Sequence, residues 1–199
     1  MSENKLLYKK MSIEELVVLS QKDDFKALGE LIKKIQKEVY ATLAYFAKND
    51  ENVYDLTQEV LLKVAKNIYS LKRRKCFKSW LNQIITNTYY DSLREHKNTP
   101  ELIYLDCNSE NSPDFSLKIE ISDDKGKPIE KCITTECENM IKTAIRQLPE
   151  PFKIAIILRE FQGLSYDEIA KTTNTSVGTV KSRIARARIK LQEVLKNYI

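Results

Sequence analysis

Hydrophobic side chains recur every three or four positions along most of the chain, which is the spacing of one face of an α-helix. The longest such stripe predicts a helix over residues 25–46 and consists of Phe25, Leu28, Leu31, Ile32, Ile35, Val39, Leu43 and Phe46. Shorter stripes predict helices over 13–20, 54–69, 76–97, 140–148 and 152–161. Three polar residues at 86–88 weaken the helical propensity of the 76–97 segment, so a kink or loop is predicted there. The pattern indicates an all-α fold.

Residues 99–136 interrupt this pattern. The segment contains Pro100, Pro113, Gly126 and Pro128, many polar residues and little helical periodicity. Only residues 115–121 alternate as a strand would, and they are followed by a turn-like sequence, so a small hairpin is one interpretation. A mostly flexible linker is the favoured one. The sequence thus predicts two small helical domains, 1–98 and 137–199, joined by a flexible linker over 99–136.

The segment 164–191 has the pattern of two short helices around a turn. Ser165 and Glu168 form a capping box, which predicts a helix from Tyr166, and Ser176 is placed to cap a second helix from Val177. On the second helix the apolar stripe is Val177, Val180, Ile184, Ala187 and Leu191. The other faces carry basic residues and no acid, namely Lys181, Arg183, Arg186, Arg188 and Lys190. This pattern is typical of a DNA-binding helix-turn-helix, with a solvated basic surface helix as the alternative.

The distribution of charge supports a polyanionic partner. The chain has 199 residues and a net charge of +5, with 42% hydrophobic and 31% charged residues. Between positions 98 and 140 there are ten acids and four lysines, a net charge of −6, so the remainder carries +11. Two basic regions flanking an acidic middle predict contact with a polyanion at both ends.

Metal, cofactor and catalytic chemistry are not expected. The chain has four cysteines but no Cys-x-x-Cys pair, and His96 is its single histidine, so a zinc site is disfavoured and no cofactor is predicted. No glycine-rich phosphate loop or nucleophile–base set points to an enzyme. Neither a signal peptide nor a membrane-spanning run is present, and free thiols fit a reducing compartment, so the expected location is cytoplasmic, without membrane insertion.

Three stretches together resemble the sigma-70 family, in its extracytoplasmic-function (ECF) branch. Residues 148–191, beginning LPEPFKIAIILREFQGLSYDEIA, resemble the family's region 4, which reads the −35 promoter element. DLTQEVLLKV at 55–64 and FKSWLNQIITNTYYDSLR at 77–94 resemble its region 2, which binds the polymerase core and the −10 element. The resemblance implies a non-enzymatic subunit that binds bacterial RNA polymerase core and directs promoter-specific initiation. It does not extend to the acidic linker.

The resemblance also implies roles for individual residues in the first domain. Core polymerase binding falls to Asp55, Gln58 and Glu59, for which an ordinary solvated helix face is the alternative. Asn87 matches the position beside the unpaired −10 bases, and Tyr90 either stacks on a base or belongs to the core. The cationic residues expected to hold phosphates near the −10 element are Arg73, Arg74 and Arg94, and Asp91 is expected to pair with Arg94.

On the basic helix, position relative to the apolar stripe assigns the roles. Lys181, Ser182 and Ala185 project away from the stripe and are the expected base readers, because lysine can donate to guanine and alanine can touch a thymine methyl group. The residues expected to hold phosphates and set the register are Thr179, Arg183 and Arg186.

Two other classes of protein remain open at this point. One is a stand-alone helix-turn-helix transcription regulator, which would bind duplex DNA as a dimer at a palindromic site without polymerase. The other is a helical adaptor whose basic faces bind acidic proteins. The first domain discriminates, since neither alternative requires the two region 2-like motifs. For a sigma factor, the resemblance adds an anti-sigma factor as a partner besides the polymerase core and promoter DNA.

Overall fold

The computed structural model describes residues 3–47, 52–98 and 140–196, and within these ranges the fold is all-α as predicted. The α-helices are α1 (Glu3–Lys10), α2 (Ile13–Ser20), α3 (Phe25–Phe46), α4 (Val53–Asn67), α5 (Phe77–Asn98), α6 (140–146), α7 (Glu150–Glu160), α8 (Tyr166–Thr172) and α9 (Val177–Leu195). Two 3₁₀ turns, Ile68–Ser70 and Arg74–Cys76, join α4 to α5. The predicted linker and the strand-like residues 115–121 lie outside the described residues.

Side-chain caps place the starts of the helices where the sequence predicts them. Ser12 and Ser165 each form a complete capping box, with Glu15 and Glu168 respectively. Asp24 caps α3 by accepting hydrogen bonds from the backbone N–H groups of residues 26 and 27. The hydroxyl of Ser176 caps α9 in the same way. Each cap satisfies backbone donors that have no partner within the helix, and so fixes the first turn.

The core of the first helical group, which comprises α2–α5, lies along α3. Leu31, Ile35 and Val39 of this helix are fully buried against α2, α4 and α5. The prediction that Phe25 belongs to the same stripe was wrong, since its side chain is 77% exposed. The buried stripe begins at Ala27, and two residues correspond to about 200° of rotation, so Phe25 lies on the opposite face.

Helix α5 is continuous, and the predicted kink or loop at residues 86–88 is not present. Thr86 and Thr88 are buried, and so are Ile85 and Tyr89, which belong to the apolar core. The Thr88 hydroxyl accepts a hydrogen bond from Lys63 Nζ of α4 at 3.1 Å. Tertiary packing on both sides of the segment therefore outweighs its low helical propensity.

Helices from the two ends of the chain bury each other. The buried apolar residues of α2–α5 and of α6–α9 form one connected cluster, with α7 packed on α3 and α8 packed on α5. Hydrogen bonds also cross this boundary, for example from Gln162 Nε2 to Thr42 Oγ1 at 2.8 Å. The described residues are thus arranged with the helix-turn-helix resting against the first helical group.

The capping box of α8 yields a stability prediction. We expect Ser165→Ala to lower the free energy of unfolding by about 1 kcal/mol, the usual cost of removing a serine cap. Ser165→Thr retains the capping oxygen and serves as the matched control. Urea denaturation of both variants measures the difference, and equal stability of Ser165→Ala and the wild type would contradict the assigned role.

The same box predicts how this loss depends on pH. Hydrogen bonds from the Ser165 backbone and hydroxyl lower the pKa of Glu168 from its ordinary value of 4.5. A carboxylate whose pKa is lower in the folded state stabilises the fold above its unfolded pKa, and this contribution disappears as the pH falls through the folded value. The deficit of Ser165→Ala should therefore be complete at neutral pH and shrink below pH 4.5.

Candidate nucleic-acid interface

Helices α8 and α9 form the predicted helix-turn-helix. Gly163 lies in the loop between α7 and α8 and has a φ of 65°, a backbone conformation that glycine adopts without strain. Across the turn, the Thr175 N–H donates to the carbonyl of Ala170 at 2.9 Å. Val180 and Ile184 of α9 are buried, and Ile169 of α8 is buried in the same cluster. These contacts fix α9 while leaving its opposite side free of packing.

The predicted base-reading residues lie on the open side of α9. Lys181, Ser182 and Ala185 are exposed, as is Arg186 one residue further on. The other two predicted phosphate contacts, Thr179 and Arg183, are half-buried. Thr179 already takes part in the N-cap, with its hydroxyl 2.9 Å from that of Ser176.

Two exposed residues in the C-terminal half of α9, Arg188 and Ile189, have distinct surroundings. Arg188 forms an ion pair with Glu160 of α7 at 2.7 Å, and the Glu160 carboxylate raises the pKa of this guanidinium. Arg188 is therefore tied to its own fold in this structure. Ile189 is 54% exposed, which places an apolar side chain among the basic ones.

The predicted −10 residues lie on one side of α5 and in the turn before it. Asn87 is exposed, and Arg94 is held by an ion pair with Asp91 at 3.1 Å, which confirms the predicted pairing. Tyr90 is half-buried and packs against the core, an intermediate between its two predicted positions, and burial raises the pKa of its hydroxyl. Arg73 and Arg74 are exposed around the second 3₁₀ turn.

A cleft of about 510 Å³ lies between the C-terminal half of α5 and the turn of the helix-turn-helix. Its lining consists of Asn87, Tyr90, Asp91 and Arg94 on one side and Thr172, Thr173 and Asn174 on the other. Arg183 of α9 lies near enough to Tyr90 to oppose the rise in that tyrosine's pKa. The structure thus places the predicted −10 residues Asn87, Tyr90 and Arg94 opposite the turn of the helix-turn-helix, and the predicted −35 residues are not part of this lining.

The predicted polymerase-binding residues form a separate surface on α4. Asp55 and Glu59 are exposed and Gln58 is half-buried, whereas Leu56 and Val60 are buried as the sequence predicts. Glu59 forms an ion pair with Lys63 at 2.7 Å, within the helix. The sequence analysis missed two neighbouring apolar residues on this surface, Tyr54 and Leu62, whose side chains are 54% and 59% exposed. Tyr54 precedes Gln58 by four positions and Leu62 follows it by four, a spacing that places residues on one helix face and could have identified both.

The residues that could have suggested other chemistry do not converge. In the ranges that the structure describes, no three histidine, cysteine or acidic side chains are placed to hold a metal ion. Cys76 is exposed beside Arg74 and Lys75, and the other cysteines lie outside these ranges. None of the described helices combines the length and apolar character needed to cross a bilayer.

Taken together, the all-α fold and the exposed basic helix define a helix-turn-helix protein. Comparison with known families is more specific, because the family model of sigma-70 region 2 matches residues 31–99 and that of sigma-70 region 4 matches residues 138–191. An ECF RNA polymerase sigma-E factor of Haemophilus influenzae is 33% identical over 94% of both chains. The chain belongs to the sigma-70 family, in its ECF branch.

Further relatives and solved structures agree with this assignment. The ECF RNA polymerase sigma factor SigW of Bacillus subtilis is 28% identical over 94% of this chain and 98% of its own. The fold is similar to that of the sigma factor RpoE of Bartonella quintana, solved in complex with the anti-sigma factor NepR, with a TM-score of 0.62, 23% identity and coverage of 86% and 98% of the two chains. It is also similar to CnrH in complex with the cytosolic domain of CnrY, with a TM-score of 0.61, 18% identity and coverage of 92% and 97%.

Proposed function

We propose that this protein is an ECF-type sigma factor, which binds bacterial RNA polymerase core and directs initiation at specific promoters. The observation that carries the proposal is the presence of both sigma regions in one chain, in the family's order, each with an exposed polar surface on its helices. The protein supplies no catalytic step in this role, since the polymerase carries out the chemistry. The cytoplasm, where bacterial polymerase acts, is the corresponding location.

The surface of α4 is the proposed contact with the polymerase core. Asp55, Gln58 and Glu59 present acceptors within little more than one helical turn. The exposed Tyr54 and Leu62 flank them and would add apolar contact area. A mixed acidic and apolar helix face suits a partner helix that carries basic and apolar residues.

The two proposed DNA contacts divide by the state of the DNA. Lys181, Ser182 and Ala185 would read base edges in the major groove of the −35 duplex, with Thr179, Arg183 and Arg186 on phosphates. Asn87 and Tyr90 would bind separated −10 bases by hydrogen bonding and stacking, with phosphate contacts from Arg73, Arg74 and Arg94. Such cationic contacts make binding fall steeply with salt concentration.

An anti-sigma factor is a further proposed partner. Two relatives of similar fold were each solved with a second protein, named as an anti-sigma factor in the case of RpoE.

Division of the chain into domains 1–98 and 137–199 is part of the proposed function as well.

In vitro transcription tests the proposed function. The purified protein is added to bacterial core polymerase with a pool of templates that carry randomised −35 and −10 sequences, and the 5′ ends of the transcripts are sequenced. We expect new start sites that share two conserved elements. Start sites indistinguishable from those of the core alone, together with no binding to the core, would exclude a sigma factor and favour the stand-alone regulator.

A further inference from the structure

We infer that the described arrangement is a closed state which cannot read a promoter, and that cations of α6 and α7 latch it shut by capping the C-terminal end of α3. That the closed state prevents promoter reading rests on the proposed function. That the two halves of the chain are held together by these contacts does not. Its starting point is a cluster of buried polar groups between the two halves of the chain, formed by Phe46, Tyr89, Glu150 and Lys153.

Lys153 is the centre of this cluster. Its side chain is fully buried, and Nζ donates to the backbone carbonyl of Phe46 at 3.0 Å and to Glu150 Oε1 at 2.9 Å. The Tyr89 hydroxyl lies 2.7 Å from the same carbonyl and 2.9 Å from Glu150 Oε2, so its single proton has two acceptors. Removing one member would leave the others buried without a partner, which is costly.

The position of these acceptors explains why a cation is placed there. Phe46 is the last residue of α3, and the final carbonyls of a helix have no partner within it and carry the negative end of the macrodipole. Arg146 of α6 donates to the carbonyl of Ala44 at 3.3 Å. Two cations from the second half of the chain therefore cap a helix of the first half, a contact that exists only while the halves are together.

A second polar contact lies nearby on the same boundary. Gln162 Nε2 donates to Thr42 Oγ1 at 2.8 Å, and its Oε1 lies 3.5 Å from Nδ2 of the fully buried Asn82. The polar and charged groups of this boundary regain water when it opens, which offsets part of the cost of breaking their mutual contacts. The apolar residues that the two halves bury against each other favour the closed state.

Closure is incompatible with reading both promoter elements. Their names place the −35 and −10 elements roughly 25 base pairs apart, which is about 85 Å along the DNA. In the structure, the −10 residues Asn87 and Tyr90 share one cleft with the turn of the helix-turn-helix. The helix-turn-helix, whose α8 packs on α5, must therefore leave α5 before both elements can be bound.

The chain between the two halves is long enough for this separation. Residues 99–139, if fully extended, would reach about 140 Å, which exceeds the distance between the two elements. Opening therefore requires the boundary contacts to break but does not require any described helix to unfold. The free energy of those contacts sets how readily polymerase and promoter obtain the open state.

Distance measurements between spin labels test the latch. The four natural cysteines are first replaced by serine. Lys66 and Gln192, exposed positions in the first and second halves, are then replaced by cysteine and carry the labels. Pulsed electron–electron double resonance is recorded for the free protein and for its complex with core polymerase and promoter. We expect one narrow distribution for the free protein and a distance longer by tens of ångströms in the complex.

Variants of the latch supply the decisive comparison. Lys153→Ala should raise the open fraction of the free protein about tenfold, the usual effect of losing a charged hydrogen bond, and Tyr89→Phe should raise it about threefold. Lys196→Ala removes the same charge from an exposed site in the same half and should leave the distances unchanged. Tyr89→Phe retains the buried ring, so it decides the matter should Lys153→Ala fail to fold.

Three results would separate the possible failures. A broad, long distribution for the free wild type would overturn the closed state, and unchanged distances in both latch variants would overturn the latch. Binding to core and promoter with the distance unaltered would overturn the inference and leave the proposed function standing. Conversely, absence of any core binding would exclude the proposed function, while the free-protein distances would still decide whether the latch exists.

Discussion

Replacing Asp55 and Glu59 together by alanine is expected to lower the affinity for core RNA polymerase about a hundredfold, because two charged contacts that become buried contribute roughly 1.4 kcal/mol each. Both side chains are exposed on α4, above the buried Leu56 and Val60, so the substitutions should leave the fold intact. The affinity is measured by titrating labelled protein with core polymerase.

A matched double variant controls for the loss of negative charge. Glu14 and Glu193 are exposed acids away from α4, and their replacement by alanine should not change core affinity. Binding of the Asp55 and Glu59 variant to an isolated −35 duplex should also be unaffected. If both double variants bind the core equally well, the docking surface lies elsewhere.

Lys181→Ala is expected to change which −35 sequences are used while core affinity stays the same. A good contact between a lysine and a guanine contributes about 1–3 kcal/mol of discrimination, so preference at one base position should fall roughly tenfold or more. Selection of −35 sequences from a randomised duplex pool, with wild type and variant compared, gives the preference at each position.

Arg186→Ala separates base reading from phosphate binding. This exposed residue is assigned to a phosphate, so its loss should weaken binding to all sequences alike and reduce the salt slope by about one unit. The two variants thus predict different signatures on the same helix. A uniform loss of affinity in Lys181→Ala, with preference retained, would contradict its role as a base reader.

The parts of the fold that the sequence predicts well are those governed by local chemistry. The capping boxes at Ser12 and Ser165 depend only on residues three positions apart, and both form as expected. The stripe on α9 follows the helical repeat, and Val180, Ile184 and Ala187 are buried as predicted. The residues proposed for −35 binding follow from this stripe, because they are what remains on the other side of the helix.

The features that the sequence analysis missed depend on distant partners. Helix α1 contains few apolar residues, and it contacts the fold through the hydroxyl of Tyr8, which donates to Asp24 Oδ2 at 2.8 Å. The continuity of α5 through Thr86 depends on the side chains of other helices that pack against this segment. Lys153 has the sequence signature of a surface residue, and its burial depends on the carbonyl of Phe46, more than a hundred positions earlier, together with Glu150 of its own helix. Periodicity carries no information on such pairs.

Site-specific photocrosslinking in the complex with polymerase and promoter tests the division of labour most directly. A photoreactive residue is placed singly at Gln58, Asn87 or Ser182, in otherwise identical proteins. We expect position 58 to crosslink to the polymerase, position 87 to the −10 strand and position 182 to the −35 duplex. Crosslinks from position 182 to protein alone, or from position 58 to DNA, would contradict the account.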